Sequence, residues 1–188
     1  MVNLNYENNR FLEVVNENDE VIDSKSRIDV HGLGLLHREI HVWMFDKDNN
    51  IFFQKRGFDR RTAGLLDATV GGHVNKGEDY LKAAVRETKE ETGISISPSD
   101  LILLRKLRES HPSTDYVLGT FNNFIRQVYL YKHPIKEQML QKEAGLPGVG
   151  FQKISHTLLI KPKKEYQVMF IDFVLNKELP IVISHLKK

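Results

Sequence analysis

The chain has 188 residues, with 27 Lys and Arg against 25 Asp and Glu, a net charge of +2 and no cysteine. The near-neutral balance gives no footing for nucleic acid or membrane as a partner, and the missing cysteine excludes disulfides, thiolate metal sites and cysteine nucleophiles. The length suits one domain over 1–188 that encloses a real core; the polar start MVNLNYENNR lacks a signal region and no run reaches membrane-spanning length, so a cytoplasmic protein is the expectation.

In chain order, Phe11 to Asn16 and Val21 to Asp23 flank Glu17-Asn18-Asp19-Glu20, which predicts a hairpin forming an N-terminal extension over 1–28, ahead of a core over 29–188. From Arg38 to Phe45, Ile40, Val42 and Met44 alternate with His41, Trp43 and Phe45, a strand with apolar residues on both faces. Asp46 to Asn50 is a turn, Ile51 to Arg56 the returning strand, and Leu66 to Val70 leads into a glycine loop. Beyond the helix described next, Leu101 to Leu107 and Asn123 to Tyr131 are further strands. Pro134 to Gly150 reads as a long loop with a helical turn around Glu137 to Glu143. Tyr166, Met169, Phe170, Phe173 and Val174 recur at helical spacing and predict a core-facing helix.

The segment GGHVNKGEDYLKAAVRETKEETGI, Gly71 to Ile94, carries the chemistry. Gly71 and Gly72 allow close approach of a ligand to the backbone, and Gly77 adds a flexible point. The helix starts with Asp79 as its cap and stops at Gly93. Leu81, Ala84, Val85, Thr88 and Thr92 share one stripe expected to face the core. Glu87, Glu90 and Glu91 fall within roughly a 100° arc on the other side. Three neighbouring carboxylates suit a hard cation such as Mg²⁺ or Mn²⁺, and Arg86 is spaced to pair with Glu90. Glutamates alternating with Lys82, Arg86 and Lys89 are also what an ordinary solvated helix looks like.

Taken with the glycines and Glu78, the segment resembles the Nudix box, G-x5-E-x7-R-E-U-x-E-E-x-G-U, through Gly72, Glu78, Arg86, Glu87, Glu90, Glu91, Gly93 and Ile94. Thr88 departs from it, standing where a bulky aliphatic residue is usual, and its hydroxyl needs a partner if buried. The resemblance implies an α/β fold, an α/β/α sandwich with a mixed sheet. It also implies a hydrolase of diphosphate bonds acting on a small-molecule diphosphate. Glu87, Glu90 and Glu91, with the Gly71 carbonyl, would bind Mg²⁺ or Mn²⁺, and Glu87 would orient or deprotonate the attacking water. Glu78 would reach metal through water, Arg86 would hold Glu90 and Glu91, and an acid outside the box, among Glu109, Glu137 and Glu143, would complete the set.

Upstream, His31, Leu35-Leu36-His37-Arg38, Trp43, Gln54, Arg56, Ala63-Gly64, Asp67 and Gly71-Gly72-His73 resemble the branch holding type I isopentenyl-diphosphate isomerases and their hydrolase relatives. In those isomerases a cysteine precedes the first box glycine; here Gly71 stands there. Histidines matching His37 and His73, with one near His31, hold a metal in the isomerases, which makes these three a possible second metal site. Three functions stay open on sequence: a pyrophosphohydrolase of a nucleoside diphosphate derivative or similar diphosphate, an isomerase-like enzyme, and a ligand sensor without turnover. Monomer and homodimer are both open.

Overall fold

The computed structural model describes residues 10–58, 62–112, 121–142, 148–160 and 167–186. Nine strands form a mixed sheet: β1 (Phe11–Val15), β2 (Val21–Ser26), β3 (Leu36–Phe45), β4 (Asn50–Lys55), β5 (Leu66–Asp67), β6 (Val70–His73), β7 (Leu101–Pro112), β8 (Phe121–Tyr131) and β9 (Gly150–Ser155). The α-helices are α1 (Arg27–Gly32), α2 (Tyr80–Thr92), α3 (His156–Ile160) and α4 (Leu179–Leu186), the last entered through a π-helical stretch, Val174–Glu178.

Strand β3 organises the sheet. It runs parallel to β8 and antiparallel to β6, β4 and β1. Because side chains alternate along a strand, its two faces enter two cores. Ile40, Val42 and Met44 join Val70, Ala83, Ala84 and Tyr129 beneath α2. Trp43 joins Phe53, Val128, Leu179, Val182 and Ile183 beneath the C-terminal helix. A helix on each face of one mixed sheet is the expected sandwich.

The hairpin forms as its turn chemistry dictates. The Asn16 side chain accepts the Asn18 and Glu20 amides at 2.9 and 3.0 Å, and Asp19 takes a positive φ of 65°. Beyond its own pairing, β1 meets β3 at Val14 and His37, and the Lys76 amide donates to the Phe11 carbonyl, so the hairpin packs beside the glycine loop.

Besides helices α1 and α3, which were not expected, two segments differ from expectation. Phe151 to Ser155 was not expected as a strand, yet β9 pairs with β4 from Asn50 to Lys55; only Ile154 of the strand is buried, so it lacks the alternation by which a half-buried strand is recognised. The C-terminal stripe is helical only in part. Tyr166 lies outside the described residues, and Phe170 bridges Leu66 while the Met169 carbonyl and Ile171 amide bond to the Leu66 backbone at 2.7 and 3.0 Å. Pairing with β5 uses those backbone groups, so the α-helix forms later, over Leu179–Leu186.

Candidate metal and diphosphate site

Helix α2 has the predicted ends. The Asp79 side chain accepts the Lys82 amide at 2.8 Å, and Gly93 closes the helix at φ 74°. Its buried face is shifted from the expected stripe. Tyr80, Ala83, Ala84, Glu87, Thr88 and Thr92 are buried, and Leu81 is exposed. The shift turns Glu87 inward, over β6. Thr88 is wholly buried, and its hydroxyl has no hydrogen-bond partner among the described residues.

Gly72 makes room for Glu87. A β-carbon at that position would lie 2.2 Å from the Glu87 carboxyl carbon, so no larger residue fits while the carboxylate stays where it is. Burial raises the Glu87 carboxyl to about 7, against the pull of Arg86 at 2.7 Å and Arg10 at 3.9 Å. Glu91 is fixed on the next residue of the strand: its Oε2 accepts the Gly71 amide at 3.1 Å and the Gln54 amide at 3.0 Å. Two box carboxylates thus rest on two consecutive glycines of β6.

Arg86 joins the loop to the helix. Its Nε and Nη2 donate to Glu78 at 2.9 and 2.8 Å, Nη1 donates to Glu90 at 3.1 Å, and Nη2 donates to the His73 carbonyl at 3.0 Å. The expected pair with Glu90 is present. The other glutamates gripped are Glu78 and Glu87, while Glu91 takes the amides just named. Glu78 also accepts the Asn75 amide at 3.0 Å, so both its oxygens are engaged in bracing the loop. Gly77, at φ 76°, gives its amide to Glu13 of β1 at 3.0 Å. Of the acids outside the box, Glu137 pairs with Lys153 at 3.3 Å, Glu109 lies 3.8 Å from Lys177, and Glu143 is outside the described residues.

Across β6 lie the histidines. His31, His37 and His73 bring one ligand atom each within 4.8 Å of one another, the one such group of three among the described residues. The Nε2 atoms of His31 and His73 are 2.9 Å apart. His37 Nδ1 lies 2.9 Å from the Leu35 carbonyl, and its buried Nε2 has no hydrogen bond among the described residues, with Glu39 at 3.6 Å. Burial, then the charge of Arg27, hold His73 well below the usual imidazole range.

Sequence reasoning missed a row of buried charges on the same face. Glu39 accepts Arg126 Nε at 3.2 Å, Arg126 donates to Glu178 at 2.7 Å, and Glu178 meets His41 Nδ1 at 2.8 Å and Trp43 Nε1 at 3.2 Å. Burial pushes the Glu39 carboxyl up, yet Arg126 and the neighbouring histidines hold it well below the usual range. A signal existed in the sequence: His37, Glu39 and His41 occupy alternate positions of a strand whose remaining residues are apolar except Arg38 on the other face, so all three had to face one side.

Residues 35–165 match the NUDIX domain family. The chain is 28% identical over 176 residues to an uncharacterised Nudix hydrolase of Clostridium acetobutylicum, covering 89% of this chain and 82% of that one. It is 39% identical over 85 residues to an isopentenyl-diphosphate Delta-isomerase of Serratia proteamaculans, a match to 45% of this chain and 48% of the isomerase. Among solved structures, a MutT protein from Methanosarcina mazei superposes with a TM-score of 0.59 at 17% identity, over 81% of this chain and 96% of that one. The dihydroneopterin triphosphate pyrophosphohydrolase of E. coli gives 0.52 at 16% identity, over 79% and 95%. At such identities these two likenesses speak for the fold alone.

Proposed function

The chain belongs to the Nudix family, and from that premise we propose that it is a metal-dependent pyrophosphohydrolase cleaving the diphosphate linkage of a nucleoside diphosphate derivative or a similar small diphosphate. The observation that carries this reading is the seating of Glu87 and Glu91 against Gly72 and Gly71. The donor set fits a hard cation. Glu87 is a buried carboxylate whose neighbouring arginines do not offset its burial, as its raised value shows, and an adjacent cation would supply the missing positive charge.

Glu87, Glu90 and Glu91, with the Gly71 carbonyl, would hold Mg²⁺ or Mn²⁺. When bound, such an ion neutralises charge on the phosphate oxygens and acidifies a water. Within the chain, Glu87 is the base. As the water oxygen attacks phosphorus and the bridging P–O bond breaks, the water proton passes to the Glu87 carboxylate. Arg86 and Glu78 keep the loop and helix in register and touch no substrate. The test is release of phosphate or monophosphate from a panel of diphosphates with Mg²⁺ or Mn²⁺. Tight binding of a member of that panel without product would replace the enzyme by a sensor. Conversion of isopentenyl diphosphate to its dimethylallyl isomer would replace hydrolysis by isomerisation, a reaction disfavoured by Gly71 and the absence of cysteine.

A second reading concerns the histidines. Two Nε2 atoms at 2.9 Å and a third buried Nε2 without a hydrogen bond among the described residues form a set of imidazole donors suited to zinc or manganese, with Glu39 beside two of them at 3.5 and 3.6 Å. Anomalous scattering at the zinc and manganese edges tests it; absence of a peak between His31, His37 and His73 ends the idea.

A further inference from the structure

The row of buried charges ends at His41 Nε2, an atom with no hydrogen-bond partner among the described residues. His41 lies opposite Gly71 in the β3–β6 register, and a β-carbon on Gly71 would stand 3.0 Å from its Nε2. Its Nδ1 is bound to Glu178, a wholly buried carboxylate. Burial pushes Glu178 up, but His41 and Arg126 hold it below the usual range, so it is an acceptor and Nδ1 carries a proton. Nε2, by contrast, makes no hydrogen bond among the described residues. The nearest charged group is Asp67 Oδ1 at 3.8 Å, beyond bonding distance. Asp67 is itself held by the Ala68 amide at 2.8 Å and by Arg56 at 2.7 Å, so it cannot close that gap cheaply.

This spot adjoins the diphosphate site. Asp67 pairs in register with Gln54, whose amide donates to Glu91, and Gly71 donates to the same Glu91 oxygen. The stretch that delivers Glu178 is π-helical, a geometry concentrated at functional positions. We propose that His41 and Asp67 recognise a hydroxyl on the non-phosphate part of the substrate, and that Glu178 is the positioning residue for His41. This rests on reading Gly71 and Glu91 as part of the diphosphate site.

The chemistry selects a hydroxyl over its rivals. A phosphoryl oxygen placed at Nε2 would face the Asp67 carboxylate and be repelled. A hydrocarbon chain would cover Nε2 and leave it unsatisfied. A hydroxyl donates to Asp67 and meets Nε2 whether or not that nitrogen carries a proton, since an O–H group both donates and accepts. The hydroxyl can belong to a ribose or to a hexose, and the two sources can be told apart by ligand.

The experiment is calorimetric binding to the full chain with Mg²⁺, using methylene-bridged diphosphonates that cannot be hydrolysed. Four probes serve: the adenosine compound, its 2′,3′-dideoxy counterpart, a glucosyl compound and a butyl compound. One hydroxylated probe should bind roughly 10- to 10²-fold tighter than its hydroxyl-free counterpart, the scale of a hydrogen bond to a charged group. A gap between the adenosine pair identifies ribose; a gap between the glucosyl and butyl probes identifies hexose. His41→Phe should abolish the gap, and Glu178→Gln should narrow it. Loss of fold would lower affinity for all probes alike, so the gap itself separates recognition from structure. Equal binding of hydroxylated and hydroxyl-free probes by the unaltered chain overturns the proposal without any variant. Persistence of the gap in folded His41→Phe overturns it too. Because no probe is cleaved, a preference here survives even if hydrolysis of the cleavable panel fails.

Discussion

Gly72 and Glu87 occupy one space: the place where a side chain would begin on the strand is filled by the carboxylate of the helix, 2.2 Å from that missing β-carbon. A contact this close cannot be relieved by small adjustments, because interiors are packed near crystal density. Gly72→Ala should therefore displace Glu87 and lower kcat by about 10²-fold or more, the scale of losing one preorganised electrostatic group. Steady-state kinetics beside a thermal melt checks this. Full activity in the alanine variant would mean that Glu87 does not need its present position.

Glu91→Gln keeps an oxygen for the Gly71 and Gln54 amides but removes the charge. Fold and melting temperature should change little, whereas turnover of a diphosphate with Mg²⁺ should fall by about 10²-fold or more. Phosphate release measured across a Mg²⁺ titration gives the answer, and retained turnover would remove Glu91 from the site.

Thr88 has a buried hydroxyl with no partner among the described residues, at a position where the family usually has an aliphatic side chain. Thr88→Val has nearly the same shape and no hydroxyl. It should stabilise the protein by about 1–2 kcal/mol, the cost of an unsatisfied buried polar group. Denaturant unfolding reads this directly; a destabilised variant would imply that the hydroxyl is satisfied.

Asp19 anchors the hairpin to the sheet, accepting Arg38 at 2.6 Å and the Tyr80 hydroxyl at 3.0 and 3.1 Å, with Lys106 at 2.5 Å. Burial pushes its carboxyl up, but Lys106 and Arg38 outweigh it, and its value lies below the ordinary 3.8. A depressed folded value means that the stability it contributes is fully present above about pH 4 and is lost as pH falls through the folded value. Asp19→Asn should be less stable than the parent at neutral pH, and the difference should shrink in acid. Melting temperatures from pH 7 down to pH 2 test this; a constant difference would show that the charge is not what holds the turn.

The helix α2, its caps and the acidic set were legible because they depend on local spacing: Asp79, Gly93 and the glutamates act within a few turns of one chain segment. The same locality explains the correct hairpin at Asn16 to Glu20 and the turn at Asp46 to Asn50, where Asp46 accepts the Asp48 and Asn50 amides. The buried stripe of α2 was misplaced by about one position, since which helix face turns inward is set by the sheet it meets.

What the amino-acid order alone determined, then, was the family's box, the mixed sheet with its principal helix, and a glycine, Gly71, directly before the first box glycine. Only the tertiary structure decided that Arg86 braces Glu78, that Glu87 lies buried over Gly72, and that His41 meets Glu178 across 137 residues of chain. Those contacts join segments far apart in sequence, and their strength comes from burial and distance, quantities that exist only once the chain has folded.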